Sequence, residues 1–153
     1  MTDGVMRDTP DWLGVAEHVA QSCSYGDLLT HEWIVERLGI QKPEYGSQDD
    51  FDAFNFAYMQ SISNVSKYLL EEHQLAVQNV RGKGYRIVPP DEQVDVAKKQ
   101  VHQEMHRAIR RYASHLTNIR YEELSSDSQR RRDDEAAKLT QMKQMMRRKL
   151  THT

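Results

Sequence analysis

His102 and His106 stand four residues apart with Glu104 between them, a spacing at which one helix face can present two imidazoles to a metal ion. No third ligand lies at a telling distance in the sequence, and an ordinary helix face accounts for the pair. Asp49, Asp50 and Asp52 crowd together but lack the ligand pattern of a calcium loop. They suit the positive end of a helix starting there. The chain has no glycine-rich nucleotide loop followed by Lys-Ser/Thr, no nucleophile elbow and no paired catalytic constellation. The expectation is a protein that is not an enzyme and takes neither metal nor cofactor. A different chemistry stands out in VQNVRGKGYRIVPP, Val77 to Pro90. Arg81, Lys83 and Arg86 surround Gly82 and Gly84, with no acid inside the segment. Cations on a turn whose glycines permit positive φ and close backbone approach can meet phosphate oxygens. The alternative is a plain hairpin with a solvated tip.

The elements that must position this turn follow from periodicity. Trp12, Val15, Ala16, Val19 and Cys23 recur at three- and four-residue spacings and predict a helix over 11–23. A short helix follows from the N-cap candidate Thr30 through His31–Leu38, ended by Gly39. Residues 40–50 read as a loop. A long helix, Asp52 to Glu72, carries the stripe Phe54, Tyr58, Ile62, Val65 and Leu69, with Asp49 or Asp50 suited to cap it. Trp12, Trp33, Phe54 and Tyr58 are expected in the core. Two short strands flank the RGKG turn.

This order, and the stretch Val80-Arg81-Gly82-Lys83-Gly84-Tyr85-Arg86-Ile87, resembles the winged helix-turn-helix domains of bacterial response regulators. In that family a V-R-G-x-G-Y-R hairpin follows the recognition helix. The likeness is tight over 80–87 and architectural over 11–90. The short second helix and the Pro43–Asp50 loop depart from the family, and no receiver domain precedes the resemblance here. Compact phage- and plasmid-encoded regulators share the overall form. The resemblance implies a mainly α fold with a small β-hairpin, residues 9–90 as a winged-helix domain, and general DNA binding rather than signalling; a role in transcription or replication is the expectation that follows.

Charge distribution agrees with double-stranded DNA as the partner. Residues 1–92 hold 15 acids and seven bases, a net of −8, which opposes a phosphate surface within a Debye length of about 8 Å. Yet 53–70 and 73–90 contain no acid at all. On the long helix, Gln60 and Asn64 suit adenine, Lys67 guanine or phosphate, and Ser63 either; an ordinary solvent face is the alternative. On the turn, Arg81, Gly82, Lys83, Gly84 and Arg86 complete the expected DNA contacts.

After Pro89-Pro90 the composition changes. Residues 93–153 hold eight acids and 14 bases, a net of +6. A helix over 92–124 aligns Val94, Ala97, Val101, Met105, Ala108, Tyr112, Leu116 and Ile119, and Val94, Met105 and Leu116 repeat every 11 residues, as in a nearly straight helix packed on a partner. Ser125–Ser128 breaks the chain before a last helix, 129–150, which aligns Ala136, Leu139, Met142, Met146 and Leu150 among arginines. These stripes must pair with each other, with the first domain or with another subunit. Residues 91–150 are expected to form a basic, coiled-coil-like oligomerisation region through Val94, Val101, Met105, Tyr112, Leu116, Ile119, Leu139, Met142 and Met146, giving a homodimer or larger assembly.

The single cysteine, Cys23, allows no disulfide within the chain and suits a reducing compartment. The N-terminal MTDGVMRDTPDW lacks a signal-peptide pattern, and no apolar run reaches membrane-spanning length, so a soluble, cytoplasmic protein is expected. Two other roles fit the same fold class: an adaptor or inhibitor that binds a protein through its acidic face or C-terminal helices, and a structural nucleic-acid coat.

Overall fold

Val15, Ala16 and Val19 are fully buried on one side of α1 (Asp11–Ser22). The described residues of this computed structural model are 11–150. They fall in two units, Met1–Val96 and Ala97–Thr153. The expected start of the first domain, residues 9 and 10, and the rest of the leading segment lie outside the described residues.

In the first unit the chain leaves α1 and forms a strand, β1 (Leu28–Thr30). Thr30 then caps α2 (His31–Leu38): its Oγ1 accepts the Trp33 N–H at 3.2 Å. Gly39, at φ 67°, ends α2 in the left-handed conformation that glycine adopts without penalty. α3 (Gln48–His73) begins four positions before the expected Asp52. Its cap is Ser47, neither Asp49 nor Asp50. The Asp50 N–H donates to Ser47 Oγ at 3.3 Å, and the Ser47 N–H donates to Asp50 Oδ2 at 2.8 Å. This reciprocal box satisfies two donors that a helix start leaves free. The Ser47 N–H and hydroxyl hold the Asp50 carboxyl below its ordinary range. β2 (Val77–Val80) and β3 (Gly84–Ile87) follow as the expected hairpin.

The sheet is antiparallel with order β1-β3-β2, so β3 is central. Tyr85 faces Leu29 on one side and Asn79 on the other. Sequence periodicity did not reveal β1, because three residues are too few to alternate. Its hydrogen bonds to β3 are extended by Ile87 N–H to Asp27 O at 2.9 Å and Gly26 N–H to Ile87 O at 2.8 Å. The stripe expected on α3 does face the core. Tyr58, Ile62, Val65 and Leu69 are buried with Ile34, Leu38 and Ile87, and Trp12 and Trp33 pack partly against them. Each fully buried aliphatic side chain contributes about 1.5–3 kcal/mol. Phe54 is half-buried and stacks on Tyr58.

The second unit is built from two helices, α4 (Gln93–Thr117, whose first turn precedes the unit) and α5 (Ser126–Leu150). They run antiparallel. The Tyr112 hydroxyl donates to Glu135 at 2.7 Å, Tyr121 to Asp133 at 2.8 Å, and Arg132 Nε to the Leu116 carbonyl at 3.1 Å. That last bond places a cation on a carbonyl left free at the C-terminal end of α4. The Arg132 guanidinium also lies 5.7 Å from the centre of the Tyr121 ring, so one side chain organises the corner. α4 ends at Thr117 rather than near 124, and a 3-10 turn, Tyr121–Glu123, fills the interval.

The apolar stripes therefore pair with each other, in part. Leu116, Leu139 and Met146 are buried in the hairpin. The face of α4 turned inward is His102, Ile109, Ala113 and Leu116. Val94, Val101, Met105, Tyr112, Ile119 and Met142 stay exposed. The 11-residue repeat Val94, Met105, Leu116 thus spans two environments. Among the described residues no helix is long and apolar enough to cross a membrane.

Candidate nucleic-acid interface

Backbone hydrogen bonds hold the tip of the β2–β3 hairpin. Lys83 N–H returns to Val80 O at 3.0 Å, closing a turn whose third residue, Gly82, has φ +73°. Such a turn demands positive φ there, and a glycine supplies it. The Lys83 carbonyl in turn accepts the His31 N–H at 3.2 Å, which ties the tip to the start of α2. Arg81 and Lys83 project from this tip, exposed, and among the described residues neither forms an ion pair or a side-chain hydrogen bond.

Two residues expected beside them have other duties. Gly84 is buried rather than presented: a Cβ there would overlap the Leu29 carbonyl oxygen and lie 2.8 Å from Thr30 Cα. Its missing side chain admits β1, not a ligand. Arg86 is half-buried and engaged through Nη2, which donates to Gln78 Oε1 at 3.0 Å and to Glu92 Oε2 at 2.6 Å. The sequence offers the three cations no acid within the hairpin; Arg86 meets its carboxylate beyond it, and Arg81 and Lys83 have no ion pair among the described residues. The partner, Glu92, lies in the 3-10 turn Pro90–Glu92, after the Pro89-Pro90 pair that reads in sequence as a boundary.

On α3, Gln60, Ser63 and Lys67 are exposed on one face, while Asn64 is half-buried at its edge. The sequence reading missed Phe56, which is 70% exposed on that same face, and Met59, which is 58% exposed beside it. The signal was present: Phe56, Gln60, Ser63 and Lys67 are separated by four, three and four residues, so they form one row along about 16 Å of helix. Such a row offers amide and hydroxyl hydrogen-bonding groups, one cation, and an apolar end able to meet a thymine methyl or a protein side chain.

Behind this face, α2 and α3 enclose an open cleft of about 530 Å³ lined by His31, Glu32, Val35, Glu36, Lys42, Phe54, Asn55 and Tyr58. His31 Nδ1 and the Tyr58 hydroxyl are 2.6 Å apart. Burial pushes the Tyr58 hydroxyl well above its ordinary range, with Tyr85 and Glu32 adding to it. A neutral phenol bonded to an imidazole ties α2 to α3. His102 is half-buried in the hairpin with Nδ1 unpartnered, whereas His106 is exposed. Among the described residues no three His, Cys, Asp or Glu side chains converge as metal ligands.

Compared with known proteins, the chain matches no family model, no curated protein and no solved structure.

Proposed function

We propose that the first unit, residues 9–90 within Met1–Val96, is a winged helix-turn-helix that binds double-stranded DNA. The observation that carries this reading is topological. The order is helix, strand, helix, helix, strand, strand, and the last strand lies between the other two. In that arrangement α2 and α3 are the helix-turn-helix pair and the β2–β3 turn is the wing. α3 reads the major groove through Gln60, Ser63 and Lys67, with Asn64 at the margin and Phe56 against an apolar base edge. Arg81 and Lys83 contact the phosphate backbone, where they position the protein without reading sequence. The chain acts as a regulator of transcription or replication and performs no catalysis.

The exposed apolar residues of the α4–α5 hairpin support self-association through Val101, Met105, Tyr112 and Met142. Dimeric winged-helix proteins would then read two half-sites.

A second reading has its own support. Asp49, Asp50 and Asp52 lie at the start of α3, and Phe56 and Met59 follow them on the surface. An acidic and apolar surface of that kind suits a protein partner, and the fold then serves as an adaptor. Titrating random-sequence and genomic DNA at several salt concentrations separates the two. Sequence-selective binding supports the regulator. No binding near physiological salt, with a defined protein retained by the α3 face and lost in Phe56→Ala, supports the adaptor.

A further inference from the structure

The cations of the second unit are of two kinds. Arg120, Arg132 and Lys138 each hold a carboxylate, at 3.3, 3.2 and 2.8 Å. Among the described residues the exposed α4 cations Lys98 and Arg111 hold none, and nor do three others of that helix, Lys99, Arg107 and Arg110, each of them exposed. These three are not scattered. With Gln103 and Ser114 they follow one another at four, four, three and four residues, which makes a single row along about 22 Å of helix. His102, Ile109 and Leu116, the residues that α4 turns toward α5, lie outside this row. Two acids of α4 lie within reach of it, Asp95 four residues before Lys99 and Glu104 three before Arg107, and among the described residues neither forms an ion pair with any of the three.

We propose that this row is a second phosphate-contacting surface, one that takes the backbone of a nucleic-acid duplex. The inference rests on the DNA reading above for its ligand class, and on none of the same residues. A duplex backbone presents a line of single negative charges, and a straight helix edge carrying cations about 4–12 Å apart can follow such a line. The polar neighbours Gln103 and Ser114 add donors to phosphate oxygens and no base-reading geometry, so contact is independent of sequence. A membrane surface fits less well. The exposed apolar side chains of α4, Val101, Met105 and Tyr112, lie on the opposite side of the helix from Lys99, Arg107 and Arg110. Only one cation, Lys98, stands on that apolar side, so no one face offers a bilayer both a cluster of cations and apolar anchors.

The test uses the full chain and a random-sequence DNA duplex, with affinity followed against salt concentration. The variant Lys99→Gln/Arg107→Gln/Arg110→Gln keeps good helix formers, and circular dichroism checks its fold. It should lower the slope of log K against log salt by roughly 0.9 per lost contact, about 2–3 for the triple change. Arg120→Gln/Lys138→Gln, which removes cations that are already paired, should leave the slope unchanged. The same triple change introduced into Arg81→Ala/Lys83→Ala should produce the same drop. An unchanged slope in the triple variant overturns the inference and leaves the wing reading intact. A drop in the triple variant with no effect of the wing variant upholds the inference and overturns the wing. Equal drops from the paired and unpaired cations mean a general charge effect, and weaker binding to phosphatidylserine vesicles with unchanged DNA binding means a membrane surface; either result overturns it.

Discussion

Gly84→Ala should be the most disruptive single-methyl change in the first unit. The backbone there has φ +150°, where an alanine is strained, and β1 passes directly over the missing side chain. A Cβ would overlap the Leu29 carbonyl and approach Thr30 Cα to 2.8 Å, both backbone atoms that cannot rotate away. Unfavourable backbone conformation costs about 1–3 kcal/mol, and forcing extra volume into a packed site costs about 1–3 kcal/mol. Together they give a loss of about 4 kcal/mol, against a total stability of about 5–15 kcal/mol for a domain. Gly82→Ala supplies the comparison. It too has positive φ, +73°, but nothing lies within 4 Å of its added methyl, so it should lose only about 1–2 kcal/mol. Urea unfolding followed by tryptophan fluorescence isolates the effect, because the chain's two tryptophans, Trp12 and Trp33, both pack against this unit's core. With a slope of roughly 2 kcal/mol per molar, the midpoint of Gly84→Ala should fall by about 2 M. If Gly84→Ala unfolds within about 1 kcal/mol of the parent, or together with Gly82→Ala, β1 does not pack against β3 as described.

Other outcomes follow from the same contacts. Burial keeps the Tyr58 and Tyr85 hydroxyls protonated beyond their ordinary range. Their contribution is therefore complete below the unfolded tyrosine value of about 10 and is lost as pH rises above it, because the unfolded chain ionises first. Urea midpoints should drop steeply above that pH, and less so in Tyr58→Phe. A double-mutant cycle on Arg86→Gln and Glu92→Gln should return a coupling of about 0.5–1 kcal/mol, since both groups keep contact with solvent. Light scattering should find at least a dimer for the full chain and a monomer after truncation at Asp91; a monomeric full chain would show that the α4–α5 hairpin closes on itself alone.

Local rules foretold most of the first unit. Thr30 and Gly39 bracket α2 as their chemistry requires, and the α3 stripe faces the core where its spacing placed it. What stayed hidden depends on residues far apart in the chain. β1 is too short to show a period, and it exists because Gly84, more than fifty positions later, leaves room for it. Arg86 reads as a free cation until the turn after Pro89 brings Glu92 to it. Phe56 was masked by its type, since an aromatic beside an apolar stripe is easily counted with the core. In the second unit neither glycine nor proline marks the end of α4. The stop comes from Arg132 and the 3-10 turn, a tertiary cause invisible to composition.

The central claim, that the β2–β3 turn is a phosphate-contacting wing, is tested most directly by the salt dependence of DNA binding in Arg81→Ala/Lys83→Ala. Arg86 stays in place, because its guanidinium already serves Gln78 and Glu92. The variant should bind every duplex more weakly by a similar factor, and its slope of log K against log salt should be shallower by about 1.8, roughly 0.9 for each lost contact. Gln60→Ala should instead lose about 1–3 kcal/mol at particular base pairs with an unchanged slope. Parent-like affinity and an unchanged slope in the wing variant, with its fold intact by circular dichroism, would contradict the account.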